Sequence, residues 1–313
     1  MTLPQPLVPD PGERGRVSTD LEATLAATVG AWDDLLEAVA ELDLQAPTRK
    51  SGRTAARTLV VLGSWPEGRP LPRIRDDALA GVLEAEPLSA TEARVIDAHA
   101  LAPRAVILDA LQRARDDVAT WSASPSVSDE ALLPVAGPLG VVPLGTLVAA
   151  TAYQCAVAAR DLAPAGVQPS DTLIARGLTA LVDTVGAVAA QQAATVSLAA
   201  VTPQVRIATG AQAGDWRTVE VGEALGPSLV GDAGLLLDIA ASRVSAPAAY
   251  ARGELRAEDL TGLLSLAQVL ARSPGLPGTD GLQAALQAYE SSAAIARAVS
   301  GAVGSAWKRL RGG

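Results

Sequence analysis

The chain has 313 residues, of which 49% are hydrophobic and 19% are charged, and its formal net charge is −9. The apolar content is enough for a sizeable core, and the acidic balance argues against a nucleic-acid-binding protein, which needs a basic face. The single cysteine, Cys155, excludes an internal disulfide and is typical of a protein of the reducing cytoplasm, the localisation that we expect.

The sequence offers no clear targeting or membrane segment. The N-terminus has no basic start followed by an apolar core, so no signal peptide is predicted. The apolar stretch 132–153 is interrupted by prolines and glycines, which makes it a poor membrane span. We therefore expect no membrane span in this chain.

The single histidine, His99, limits the chemistry. One histidine cannot build a multi-histidine metal site, and a Ser-His-Asp triad would have to use this residue. No Gly-x-Ser-x-Gly motif accompanies it. A surface or hydrogen-bonded role is the expected one.

The N-terminal half reads as a set of amphipathic helices. Residues 1–16 are rich in proline, glycine and charge and are predicted to be a mobile leader. A first helix is predicted to start with a capping box from Thr19 to Glu22. Its apolar residues follow a period of 3.6 and are Leu21, Leu25, Val29, Trp32, Leu36 and Val39.

Further helices follow in the same region. A short one is predicted over 54–62, another starts at a capping box from Ser89 to Glu92, and a long one ends near 162 after beginning at Pro143. Between the last two, a helix over 102–121 has as candidate core residues Val106, Leu108, Leu111, Ala114 and Val118. Short polar connections favour an antiparallel four-helix bundle over 17–166.

After the predicted bundle, the residue pattern changes from helical periodicity to a mixture of helical and β-prone segments. A connecting helix is predicted within 167–200. The stretch 193–222 contains short β-prone runs around a Gly-rich turn, with alternation in Val205–Ile207 and Trp216–Val221. A helix over 232–242 comes next. The predicted fold class is thus mainly α, with a small α+β second domain over 201–275 and a terminal helix and tail over 276–313.

Three stretches together resemble the mycothiol-dependent maleylpyruvate isomerase-like proteins of the DinB/YfiT-like group. They are LDLQAPTRKSGRTAARTLVVLGSW, GPLGVVPLGTLVAATAYQCAVAARDL, and AAVTPQVRIATGAQAGDWRTVEV with GDAGLLLDIAASR after it. The resemblance covers about residues 18–275. It implies a DinB-like antiparallel four-helix bundle followed by a small domain similar to sterol carrier protein.

The resemblance also implies where a metal would be bound, and this sequence departs from the family there. The first ligand histidine falls on Val61, the glutamate on Gln154 and the second histidine on Ala158, whereas the trailing Asp-Leu survives as Asp161 and Leu162. First-row divalent ions prefer imidazole nitrogen or anionic oxygen, which valine and alanine do not provide. We therefore expect no metal at the family site.

Two functional interpretations remain open. The first is a degenerate relative that has lost its metal site and binds a small organic ligand or a protein partner. The second is a metal-independent enzyme, an isomerase or a transferase acting on a thiol or an organic acid, that uses the former metal pocket. For either, the candidates for binding an anion or another ligand are Arg49, Arg53, Arg57, Tyr153 and Trp32, and mycothiol is a candidate thiol ligand.

Overall fold

The computed structural model describes residues 7–84, 86–137, 140–222 and 226–258. The helices are α1 (Arg16–Thr19), α2 (Leu21–Val39), α3 (Ala55–Leu59), α4 (Leu71–Leu79), α5 (Leu88–His99), α6 (Arg104–Ser122), α7 (Val127–Glu130), α8 (Leu144–Ala149), α9 (Thr151–Asp161), α10 (Asp171–Gln191), α11 (Ala233–Ala240) and α12 (Ala246–Ala251). The strands are β1 (Pro134–Gly137), β2 (Gly140–Pro143), β3 (Val196–Val201), β4 (Arg206–Gln212), β5 (Asp215–Glu220), β6 (Ser228–Gly231) and β7 (Leu255–Glu258).

The helical part is organised around α2, which packs against α6, α9 and α10. The predicted apolar stripe of α2 is confirmed at Leu25, Trp32 and Val39, but Leu35, rather than Leu36, is fully buried. On α6, Leu111 and Val118 are buried as predicted. Val106, predicted as core, is instead 42% exposed, because the buried face of α6 is centred on Ile107 and Ala110.

Helix α10 is shared between the helical part and the sheet. It contacts α2 and α9 on one side and β3, β4 and β5 on the other. It is long and apolar enough to cross a membrane, but 72% of its most apolar window is buried inside the protein. Core packing on two sides explains its composition, as is typical of a helix that is hydrophobic all round.

The second part is a five-stranded mixed sheet in the order β5-β4-β3-β6-β7. β3 pairs with β6 in parallel, and the other neighbours are antiparallel. Strand β3 starts at Val196, inside the range predicted for the connecting helix, and β6, β7 and α12 were not predicted. The structure therefore agrees with the predicted fold class in one respect: a helical domain is joined to a β-containing domain.

The predicted mobile leader, residues 1–16, is described by the structure from residue 7 onward, and its end before α1 is held in place. The Gly15 backbone N–H donates to the Trp216 carbonyl at 2.8 Å, and the Trp216 N–H donates to the Glu13 carbonyl at 3.3 Å. The Arg14 guanidinium pairs with Asp215. These contacts attach the chain to the edge strand β5.

Both predicted capping boxes are wrong. Helix α2 has Asp20 as its N-cap and no capping side chain, while the Thr19 hydroxyl donates to the Gly15 carbonyl at 3.2 Å. Helix α5 begins at Leu88 after Pro87, also without a capping side chain. The side chain of Glu92, which would close the second box, instead contacts Arg53 at 3.3 Å.

Several local elements were also missed or divided. Helix α4 lies where only a break was expected, and the β1–β2 hairpin lies where no more than a short extended piece was expected. The helix predicted over 143–162 is divided into α8 and α9 at Ala150. The predictions for 259–275 and for a terminal helix over 276–313 lie outside the described residues.

The crossing of α9 and α10 depends on Gly177, and this generates a test. A Cβ at Gly177 would lie 2.4 Å from the Cβ of Ala156 on α9. We expect Gly177→Ala to lower the free energy of unfolding by about 1–3 kcal/mol through overpacking, despite a helix-propensity gain of about 1 kcal/mol. Urea denaturation measures the change.

Gly30→Ala is the matched control. Gly30 also lies inside a helix, but an added Cβ would meet only the flexible end of Arg176, 2.7 Å away. The guanidinium can swing aside, so we expect this variant to be close to neutral. Equal losses in the two variants would show that the close helix crossing is not the cause.

Candidate functional site

The loop 47–54 is fixed against the C-terminal end of α9. Pro47 and Thr54 form an isolated antiparallel bridge, and the Arg49 N–H donates to the Asp161 carbonyl at 2.8 Å. Thr54 then caps α3, because its hydroxyl accepts a hydrogen bond from the Arg57 N–H at 3.4 Å. The basic residues of this loop are thereby placed next to α9.

Two buried carboxylates lie at this junction. Asp238, on α11, accepts hydrogen bonds from Arg49 at 2.8 and 2.9 Å and from Arg160 at 2.8 and 2.5 Å. Asp161, at the end of α9, accepts two from Arg243, both at 2.6 Å. Each carboxylate side chain is only 6% exposed. Charge-assisted bonds of this kind compensate for the desolvation of the carboxylates.

A second group of charges lies beside these pairs, and we call it the Lys50 cluster: Lys50, Arg53, Glu92 and Tyr153. Arg53 contacts Glu92 at 3.3 Å. Lys50 is partly buried and forms no ion pair with any described residue. Burial, followed by the charge of Arg53, lowers the pKa of Lys50 below its ordinary value. An ammonium group in this situation gains from an added negative charge.

Tyr153 faces the same charges from α9. The charges of Arg243 and Asp161 act on both Tyr153 and Lys50, so both side chains lie near the Arg243–Asp161 pair. Burial raises the pKa of the Tyr153 hydroxyl well above its ordinary value, so it stays protonated. This hydroxyl donates to no group in the described part of the chain. It is therefore a hydrogen-bond donor available to a ligand.

The three predicted metal-ligand positions differ in their surroundings. Val61 is partly buried in the 3-10 turn Val60–Leu62, directly after α3, and α3 contacts α9. On α9 itself, Gln154 is exposed and Ala158 is 5% exposed. The fold thus brings together the two segments that carry these positions, although the Gln154 side chain points to solvent.

These positions do not fit a first-row metal ion. Val61 and Ala158 have no donor atom, and Gln154 offers only a neutral amide. Among residues 7–84, 86–137, 140–222 and 226–258, no group of three or more His, Cys, Asp or Glu side chains could hold a metal. We derive no chemistry through a metal here.

Most of the other predicted binding residues are either bonded to other residues of the protein or lie outside the Lys50 cluster. Arg49 is committed to Asp238. Arg57 is exposed and only its backbone N–H is bonded. Trp32 is 3% exposed, and its indole N–H donates to the Thr151 hydroxyl at 3.2 Å, so it belongs to the core. Of the predicted set, Arg53 and Tyr153 remain as members of the cluster.

His99 and Cys155 take no part in it. The His99 ring stacks on Trp65 with centroids 3.8 Å apart and bonds to Glu67 at 2.9 Å, as expected for a hydrogen-bonded residue. Cys155 is fully buried, and burial raises the pKa of its thiol well above the ordinary value. A buried thiol of this kind is unreactive.

Sequence reasoning missed the roles of Arg243, Asp238 and Glu92. The density of basic residues in 47–54 signalled a charged site, and Asp161 had been noticed as part of the surviving Asp-Leu. No local pattern in the sequence connects these residues to α11. The Arg160–Asp238 bond, for example, joins residues that are 78 positions apart in the chain.

Comparisons with known proteins give only a distant likeness. No protein-family model and no curated protein matches the chain. Among solved structures, mycothiol-dependent maleylpyruvate isomerase and a mutant of it are similar at a TM-score of 0.48 and 13% identity, over 79% of this chain and 96% of that one. A sec-alkyl sulfatase double mutant has a TM-score of 0.27 and 14% identity, over 69% of this chain and 31% of that one. The isomerase likeness is a distant fold relationship, and nothing about ligands follows from it.

The buried pairs generate a stability prediction. Asp238→Ala would leave Arg49 and Arg160 without their shared carboxylate, and we expect a loss of about 3–5 kcal/mol in the free energy of unfolding. The control is Glu254→Gln, which removes one partner of the exposed pair with Arg252 and should leave stability unchanged. Thermal and urea denaturation of the two variants measure the difference. Similar behaviour of both would contradict a central role for Asp238.

Proposed function

We propose that this chain binds a small organic anion, a carboxylate, at the Lys50 cluster, and that it is a divergent relative of the mycothiol-dependent maleylpyruvate isomerase-like proteins working without their metal. The single observation that carries the proposal is the Lys50 ammonium, partly buried beside Arg53 and unpaired within the described residues. A carboxylate bound there would supply the missing counter-charge.

The charge balance of the junction supports an anionic ligand. Five basic side chains, those of Arg49, Lys50, Arg53, Arg160 and Arg243, lie near four carboxylates, those of Glu92, Asp161, Asp232 and Asp238. This local excess of positive charge lies in a chain with a net charge of −9. Guanidinium groups match the planar geometry of a carboxylate, and the Tyr153 hydroxyl adds a neutral donor.

Binding measurements test the proposal. We expect benzoate to bind more tightly than inorganic phosphate in isothermal titration calorimetry, because the cluster offers a neutral donor and apolar surroundings on α9 besides its cations. Lys50→Met and Tyr153→Phe should each weaken benzoate binding, the former by about tenfold for a lost charge-assisted contact. Arg57→Gln, at an exposed position of the same segment, should bind as the unaltered protein does.

The pH dependence gives the same experiment a second readout. Because a charged Lys50 is required, affinity should be constant near neutrality and fall as the pH rises through the Lys50 pKa. That fall should begin below the value of 10.5 for an ordinary lysine, because burial lowers the pKa. Lys50 and Lys308 are the two lysines of the sequence, so carbon-13 methylation reports the titration of Lys50 directly. Binding that is unaffected by Lys50→Met would refute the proposal.

Metal analysis tests the other half of the proposal. We expect the purified protein to hold no stoichiometric zinc, because Val61, Gln154 and Ala158 lack the donors that zinc prefers. Stoichiometric zinc in the unaltered protein, bound by residues of the helical part, would contradict the metal-free interpretation.

A further inference from the structure

Glu92 occupies an unusual position for a residue near the start of a helix. Its place four residues after Leu88, the first residue of α5, would suit interactions within the helix, but α5 has no side-chain cap. Its carboxylate instead reaches the Arg53 guanidinium at 3.3 Å. Its charge also acts on Lys50. A carboxylate belonging to the protein thus already lies within reach of the two cations of the Lys50 cluster.

The Arg53–Glu92 pair is built more loosely than its neighbours. It consists of one contact at 3.3 Å, whereas the Arg160–Asp238 and Arg243–Asp161 pairs each have two contacts of 2.5–2.8 Å. The Glu92 side chain is 31% exposed, against 6% for each aspartate. A pair of this exposure contributes little to stability, so it can be exchanged for another carboxylate at little cost.

Helix α5 itself is held by few apolar contacts. Val95 is the one buried residue among its twelve. The far end of the helix is fixed at His99, which stacks on Trp65 and bonds to Glu67. The N-terminal end reaches the loop 47–54 through Glu92 and Arg53. The bonds of Thr91 and Arg94 to Glu86, and of Arg94 to the Glu67 carbonyl, also hold this half of the helix. Release of Glu92 would remove its contact with the loop 47–54 and so loosen the first turns of α5, while its C-terminal end stays in place.

We propose that Glu92 is an internal competitor for the anion site, and that a ligand carboxylate binds to Lys50 and Arg53 by displacing it. This inference rests on the proposed function. It adds a specificity-determining residue that weakens the binding of poorly fitting anions. It also adds a consequence, since occupation of the site by a ligand frees the N-terminal half of α5.

Calorimetry with benzoate on the full chain tests the competition. Glu92→Gln should tighten benzoate binding roughly two- to fivefold, which is the strength of the exposed pair expressed as affinity. Glu86→Gln is the charge-matched control. Glu86 lies just before α5, but it pairs with Arg94 and not with Arg53. It should leave benzoate affinity unchanged. Equal gains in the two variants would mean that general electrostatics, rather than competition, is responsible.

A double-mutant cycle tests whether Arg53 mediates the effect. If Glu92 acts by occupying Arg53, the gain from Glu92→Gln should be largely lost in an Arg53→Gln background. A gain of the same size in both backgrounds would overturn the competition mechanism even though Glu92 affects affinity.

Hydrogen exchange provides a readout of the helix. Benzoate should increase amide exchange in the N-terminal half of α5 in the unaltered protein, and Glu92→Gln should show that increase without ligand. The two proposals fail differently. Benzoate binding that Glu92→Gln does not strengthen refutes the inference alone, whereas no benzoate binding by the unaltered protein or by Glu92→Gln refutes the proposed function as well.

Discussion

The buried carboxylates Asp161 and Asp238 hold the functional half of this structure together. Each would be strongly destabilised in a low-dielectric interior without a partner, so each must be met by guanidinium groups. The arginines that meet them come from the loop 47–54, from α9 and from the end of α11. One electrostatic requirement therefore fixes three segments that are distant in sequence, and it aligns the second domain with the helical one.

Two basic side chains of the loop 47–54, Lys50 and Arg53, are not used in these buried ion pairs. Arg49, Arg160 and Arg243 are consumed by the two aspartates, and they carry the loop 47–54 to the end of α9. Lys50 and Arg53 come with that loop and have no such buried carboxylate of their own: Glu92 pairs with Arg53 and acts on Lys50, and Asp161, which also acts on Lys50, is paired with Arg243. The proposed anion site is in this sense a product of the way the domains are joined. A change in the structural pairs would move the cluster as well.

Sequence periodicity predicted the elements whose burial is one-sided or complete, such as α2, α6 and α10, because a repeat of 3.6 residues reports which face is covered. It did not predict α4 or the β1–β2 hairpin, which are short and owe their conformation to neighbours. The capping patterns at Thr19 and Ser89 failed because the Thr19 hydroxyl bonds to the Gly15 carbonyl and Glu92 pairs with Arg53 instead of closing a capping box. At the site, the basic loop was evident from sequence, but Asp238 and Arg243 could not be paired with it, since sequence separation carries no information on such contacts.

The position of the cluster is compatible with the binding of the proposed anion by an acidic protein. A net charge of −9 repels anions at long range, but at physiological ionic strength this repulsion is screened beyond about 8 Å. Charges closer than that, and partly withdrawn from water, are screened much less. Lys50, Arg53 and the Tyr153 hydroxyl act within that shorter range. Recognition of the ligand must then depend on short-range contacts at the cluster rather than on long-range electrostatic attraction. This favours a ligand whose carboxylate can take the place of the Glu92 carboxylate.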